Sequence, residues 1–302
     1  MAAILAIAPI FGLIVLGYLL GWRQWLSADS AGGLSQITFK LFMPCLLFVG
    51  IAKAPLGDAL SPVLLLVYFV PALLVFALIN IFAHRVAGGP TAFGLAGSYS
   101  NNVLVGIPMI TALFGHDGLV YLFALLAVHS LILFSIQSFY AALGLGSRQR
   151  PGPKTLLKNL ANPLVIGLLL GVAVNVSDLS LPNTLWQMLE WLARAALPCA
   201  LIVLGIGLTR YRLRSSPAIW SLCLLKLIAF PLIVLGLGTL VPGLSPLARH
   251  VLVLAAANPI GVNVLAFAMT PEQQRTIGGS IFLSTLLAAF TLPLWMMVMS
   301  PD

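Results

Sequence analysis

The chain has 302 residues, of which 61% are hydrophobic and 7% charged, with a mean hydropathy of +1.09. Soluble domains carry roughly 25% charged residues, so this composition excludes one and specifies an integral membrane protein. The net charge of +8 does not point to nucleic acid, because the basic residues stand between apolar runs, where they set orientation.

Windows of about 20 apolar residues predict ten spans, near 2–22, 33–52, 60–82, 92–114, 118–143, 159–177, 185–208, 216–240, 247–269 and 276–299. The first run lacks a basic leader and is long enough to span, so it reads as a retained helix rather than a signal peptide. The second opens on polar Ser35, Gln36 and Thr38, and the seventh contains Glu190 and Arg194. Cys45, Cys199 and Cys223 fall inside apolar runs without metal-ligand spacing and read as small buried hydrophobes. Loops after odd-numbered spans collect ten Lys and Arg residues, from Arg23 to Arg275, whereas the other loops hold only Lys53 and Arg249. By the positive-inside rule the rich side is cytoplasmic and both termini lie outside.

The fourth run, AFGLAGSYSNNVLVGIPMITALF (92–114), carries Ser98 to Asn102 at its middle, followed by Gly106 and Pro108. The ninth contains LAAANPIGVNVLAFA (254–268), with Asn258, Pro259, Gly261 and Asn263. Such residues are tolerated at membrane depth only where protein or trapped water satisfies them, so both runs read as broken helices beside a cavity or as polar packing helices. Two interrupted segments in corresponding halves of a chain mark a transporter binding site.

The Pro- and Gly-rich stretch at 144–158 reads as a cytoplasmic linker between two halves, 1–143 and 159–302. Pro9 and Pro163 are 154 residues apart, as are Lys40-Leu-Phe-Met-Pro44-Cys45 and Arg194-Ala-Ala-Leu-Pro198-Cys199. Ser61-Pro62 recurs as Ser216-Pro217, and Asn102 as Asn258 at an interval of 156. With five spans per half, the second repeat enters from the opposite face. The fold expected is therefore an all-α membrane protein of ten transmembrane helices, as two inverted five-helix repeats with broken, crossing helices 4 and 9.

Half-helix N-termini at the breaks favour an anion. The amides of Asn101, Asn102, Asn258 and Asn263, with Ser100 between the half-helices, add donors without a permanent charge, while Gly106, Pro108, Pro259 and Gly261 shape the backbone. None of the seven acids, Asp29, Asp58, Asp117, Asp178, Glu190, Glu272 and Asp302, falls in either broken segment, which removes the carboxylates that cation exchange requires. Lys40 and Arg194 read as snorkelling anchors in preference to cavity charges. Lys226 lies too deep to snorkel and either makes a salt bridge or faces the cavity. His129 and, farther along the same span, Gln137 are candidates for the cavity or for proton handling. G-x-S-x-G, HExxH and paired carboxylates are absent, so neither an enzyme nor a cofactor is expected.

SNNVLVGIP, AANPIGVNVLAFA and the MPCLLF/LPCALI repeat together resemble the auxin efflux carrier family, which includes plant PIN-type carriers and bacterial relatives assigned to malonate or other organic-acid transport. The likeness covers essentially the whole chain. It implies a homodimerising scaffold of spans 1, 2, 6 and 7, and a mobile transport domain of spans 3–5 and 8–10 in a bacterial inner membrane. It also implies a small organic anion as partner, with Asn101 in the position of the carboxylate-binding asparagine. Ser100 stands where the plant carriers have the first crossover proline, and Ile260 where they have a glutamine after the second, Pro259.

Overall fold

The computed structural model describes residues 2–54, 61–144, 163–177, 179–211 and 216–299, and among them every regular element is a helix. In chain order these are α1 (Ala2–Trp22), α2 (Ala28–Ala52), α3 (Pro62–Ala87), α4 (Phe93–Ser98), α5 (Asn102–Gly144), α6 (Pro163–Val176), α7 (Asn183–Leu208), α8 (Pro217–Leu240), α9 (Pro246–Ala257), a 3-10 helix (Val262–Phe267) and α10 (Pro271–Met299). Helices α2, α3, α5, α7, α8 and α10 are long and apolar enough to cross a membrane, while Ile7–Trp22 of α1, α6 and α9 are shorter apolar helices. The linker at 144–158 lies, beyond Gly144, outside the described residues.

Local chemistry sets the helix ends. Ser61 and Ser216 each precede a proline, and their hydroxyls accept from the N–H of Val63 and of Ile219, both at 3.3 Å. Ser245-Pro246 opens α9 in the same way, with Ser245 Oγ accepting from Ala248 N–H at 3.1 Å. Serine at the cap satisfies an orphan donor, and proline fits the first turn because its missing N–H has no partner there anyway. Helix α2 begins earlier than its apolar run because Ser27 caps it on Ser30 N–H at 3.1 Å. Where the sequence places a short loop between the fourth and fifth spans, α5 instead turns at one residue, Gly115, with φ 58° and ψ −143°.

Three π-turns interrupt the helices, at Thr38–Phe42 in α2, Asn102–Gly106 in α5 and Leu225–Ala229 in α8. Each is followed two residues later by a proline, Pro44, Pro108 and Pro231. A proline ring clashes with the carbonyl four residues back and leaves it unbonded, and the wider turn makes room for it. In α8 that carbonyl belongs to Leu227, and Trp295 Nε1 of α10 donates to it at 2.8 Å. Pro108 therefore does not form the break in the fourth run. It sits in continuous helix, and the chain leaves helical geometry earlier, at Tyr99–Asn101.

Helix α1 packs along α7, and α2 along α6 and α7. Side chains at Gly17 and Gly205 would collide with the Ile202 and Ile14 carbonyls of the facing helix, so this crossing brings backbones together in the manner of small-residue membrane contacts. On the other side, α8 packs on α3, α9 and α10. Glu190 of α7 is paired with Lys53 at 2.5 Å at the end of α2, which disposes of the acid in the seventh span.

Candidate functional site

The two breaks meet. Asn101 N–H donates to the Pro259 carbonyl at 2.8 Å and Gly261 N–H to the Tyr99 carbonyl at 3.0 Å, forming an isolated antiparallel bridge between Ser100 and Ile260. Short extended pieces thus satisfy each other where the helices stop, which meets the membrane's demand that backbone polar groups be paired. Ile260 N–H also donates to Ser284 Oγ of α10 at 3.2 Å.

The side chains around this bridge form one buried network. Asn258 Nδ2 donates to Asn102 Oδ1 at 2.8 Å, joining the two asparagines that the repeat aligns. Asn102 Nδ2 donates to the Tyr68 hydroxyl at 3.4 Å, and that hydroxyl donates to Ser100 Oγ at 3.1 Å. His129 Nε2 lies 3.3 Å from the same hydroxyl, and its ring stacks on Tyr99 with centroids 4.5 Å apart. A Cβ on Gly106 would lie 2.8 Å from Asn258 Nδ2, so glycine there leaves space for the asparagine pair. Asn101 Oδ1 accepts from Leu104 N–H at 3.4 Å and caps α5. Its Nδ2 is buried and has no protein partner, as is the Oδ1 of Asn258.

A cavity of about 620 Å³ reaches this network. Tyr99, Ser100, Asn101, Asn102, His129, Gly261 and Asn263 line its inner part. From there it runs between the start of α2, the start of α6 and the end of α7, past Lys40, Arg210 and Tyr211. No Asp or Glu is among its described lining residues. Asn263 is exposed, and the Tyr99 hydroxyl lies 2.8 Å from Ser130 Oγ. A larger cavity of about 1180 Å³ between α3, α8 and α10 is mainly apolar, lined by residues such as Leu78, Phe82, Val86 and Phe93, and does not touch the breaks.

Of the residues singled out in the sequence, Ser100, Asn101, Asn102, Gly261, Asn263 and His129 line the 620 Å³ cavity, whereas Asn258, Gly106, Pro108 and Pro259 lie behind it. Three expectations need correction. Gln137 lies eight residues beyond His129, roughly 12 Å along a helix, and donates to the Thr91 carbonyl at 3.1 Å near the start of α4. Lys226 is fully buried, makes no salt bridge among the described residues and does not line the cavity. Its Nζ donates to the Ala256 carbonyl and, at 2.6 Å, to that of Asn258. Lys40 departs from the anchor reading, since it lines the cavity while Arg194 does not. Sequence reasoning missed Tyr68, Tyr99 and Arg210. A tyrosine inside an apolar helix is a usable signal, because a buried hydroxyl needs a partner.

A sequence profile of the family described as "Membrane transport protein" matches residues 2–143 and 147–296. A "Putative malonate transporter" of Rhizobium meliloti is 26% identical over 294 residues, covering 94% of this chain and 92% of the relative. An "Uncharacterized transporter" of Methanothermobacter thermautotrophicus is also 26% identical, over 293 residues and 95% of each chain. The "Lysosomal cholesterol signaling protein" of Mus musculus is 23% identical over 250 residues, 76% of this chain but 29% of that protein. With the match running almost from end to end and the interrupted helices paired as described, the chain belongs to the membrane transport protein family, that of the auxin efflux carriers.

Proposed function

We propose that this membrane transporter is a secondary carrier for a small organic anion, a malonate-like or auxin-like carboxylate, built as two inverted five-helix repeats. The observation that carries the reading is the cavity at the breaks, which holds Lys40 and Arg210, lacks any acid among its described lining residues, and ends at Asn101, whose buried Nδ2 has no partner. Two cations attract an anion from solvent, and an amide donor beside the first turn of α5 binds a carboxylate without a fixed buried charge. The R. meliloti relative, by its name, supports a dicarboxylate.

In this reading α3–α5 with α8–α10 move against a dimeric scaffold of α1, α2, α6 and α7, carrying the site across a bacterial inner membrane. The cavity mouth lies among the helix ends nearest Arg210, on the side that the basic loops assign to the cytoplasm, so the conformation is inward-open. The apolar groove between α3, α8 and α10 faces lipid acyl chains.

Counterflow in proteoliposomes tests the proposal. Vesicles preloaded with unlabelled malonate are expected to accumulate labelled malonate saturably, and Asn101→Ala to raise the half-saturating concentration. The likeness to the mouse signalling protein favours one rival, a sensor that binds but does not carry. Saturable binding without counterflow supports that rival, and no binding of any carboxylate contradicts both readings.

A further inference from the structure

Lys226 sits in the π-turn of α8, with 0% of its surface exposed. No carboxylate pairs with it among the described residues. What surrounds its Nζ is main chain, the carbonyls of Ala256 and Asn258, together with the face of Phe230, whose ring centroid is 5.1 Å away. Ala256 lies in the last turn of α9 and Asn258 is the residue that ends it. These are the carbonyls a helix C-terminus leaves without partners, and they carry the negative end of its dipole. Buried carbonyls converging at a helix end, with an aromatic face beside them, are a setting for a bare monovalent cation. Here a side chain supplies the charge.

We infer that the second break contains a monovalent-cation site that the chain fills with its own Lys226 ammonium. The lysine holds the end of α9 in the geometry that lets Asn258 Nδ2 reach Asn102 and Pro259 reach Asn101. The site therefore needs no sodium or potassium from solution. This separates the chain from a sodium-coupled carrier, and it also explains a deep lysine without an acid.

The test uses the full-length protein in detergent, with thermal unfolding followed in sodium, potassium, ammonium or choline chloride at equal ionic strength. Wild type is expected to unfold at one temperature in all four salts. Lys226→Ala is expected to unfold several degrees lower in choline and to recover saturably in one of the three small cations. Lys226→Met, which fills the space without charge, is expected to be destabilised without recovery.

Three results overturn the inference: wild type stabilised saturably by sodium against choline, Lys226→Met as stable as wild type, or Lys226→Ala equally unstable in every salt. Should Lys226→Ala not insert, the first two measurements still decide. None of these assays contains a carboxylate, so their failure is distinct from failure of the organic-anion reading.

Discussion

The two breaks carry similar residues, with Asn102 and Asn258 156 positions apart, yet their polar groups are satisfied by different means. At the first, Tyr99–Asn101, partners are neutral: the Tyr68 hydroxyl on Ser100, the Pro259 carbonyl on Asn101 N–H, and Asn102 against Asn258. One donor, Asn101 Nδ2, remains unused beside the cavity. At the second, the carbonyl end of α9 is closed by a charged side chain of the same molecule and lies away from the cavity. A broken membrane helix thus has two solutions to its unpaired ends. One leaves a donor free beside the cavity, and the other fills its carbonyl end from within the chain.

Variants that erase the difference should act in this order. Lys226→Met strips the donor from two buried carbonyls, each about 1–3 kcal/mol when unsatisfied, so thermal unfolding in detergent should report the largest loss of stability in the series. Asn101→Ala removes a hydrogen bond to a charged ligand, worth ~1.5–3 kcal/mol, which predicts roughly a ten- to hundredfold weaker carboxylate affinity. Its unfolding temperature should fall by less than in Lys226→Met, because the lost Nδ2 has no partner in the protein while the lost Oδ1 caps α5, a cap worth about 0.5–2 kcal/mol.

Gly106→Ala places a carbon against the Asn102–Asn258 pair, and overpacking of this kind costs about 1–3 kcal/mol. Stability and binding should fall together. Lys40→Met combined with Arg210→Met should slow capture of the anion and flatten its dependence on ionic strength, since steering by exposed charges is screened by salt. Stopped-flow binding at two salt concentrations measures this. The smallest effect is expected for Lys53→Ala, whose pair with Glu190 is exposed to solvent and distant from the site. Transport rate and unfolding temperature should stay at wild-type values.

Much of this arrangement is legible in the sequence because it is local. Ser-Pro pairs cap helices wherever they stand, and polar residues inside an apolar run must mark a break or a contact. The repeat interval also pairs Asn102 with Asn258, which proved to be bonded. What is not legible depends on side chains meeting from distant parts of the chain. Tyr68 is 32 residues from Ser100 and 61 from His129, and nothing along α3 says which of its faces meets the break.

Lys40 and Arg194 stand in matching sequence motifs 154 residues apart, but only Lys40 reaches the cavity, which runs beside the start of α2 and the end of α7. Lys226 misled as well. Depth in the membrane shows that a charge needs a partner, whereas the partner here is the backbone of α9, invisible in composition. Pro108 suggested a break because proline disrupts regular helix, and the π-turn before it absorbs the disruption instead.

The central claim is that a carboxylate binds at the first break through Asn101. Thermal unfolding of the wild-type protein and of Asn101→Ala, each titrated with a panel including malonate and indole-acetate, tests it most directly, since a ligand of the folded state raises stability by mass action. The account predicts a saturable rise for at least one acid in wild type, displaced at least about tenfold to higher concentration in Asn101→Ala. Equal titration curves for the two proteins, or stabilisation by neutral solutes and by no carboxylate, would contradict it.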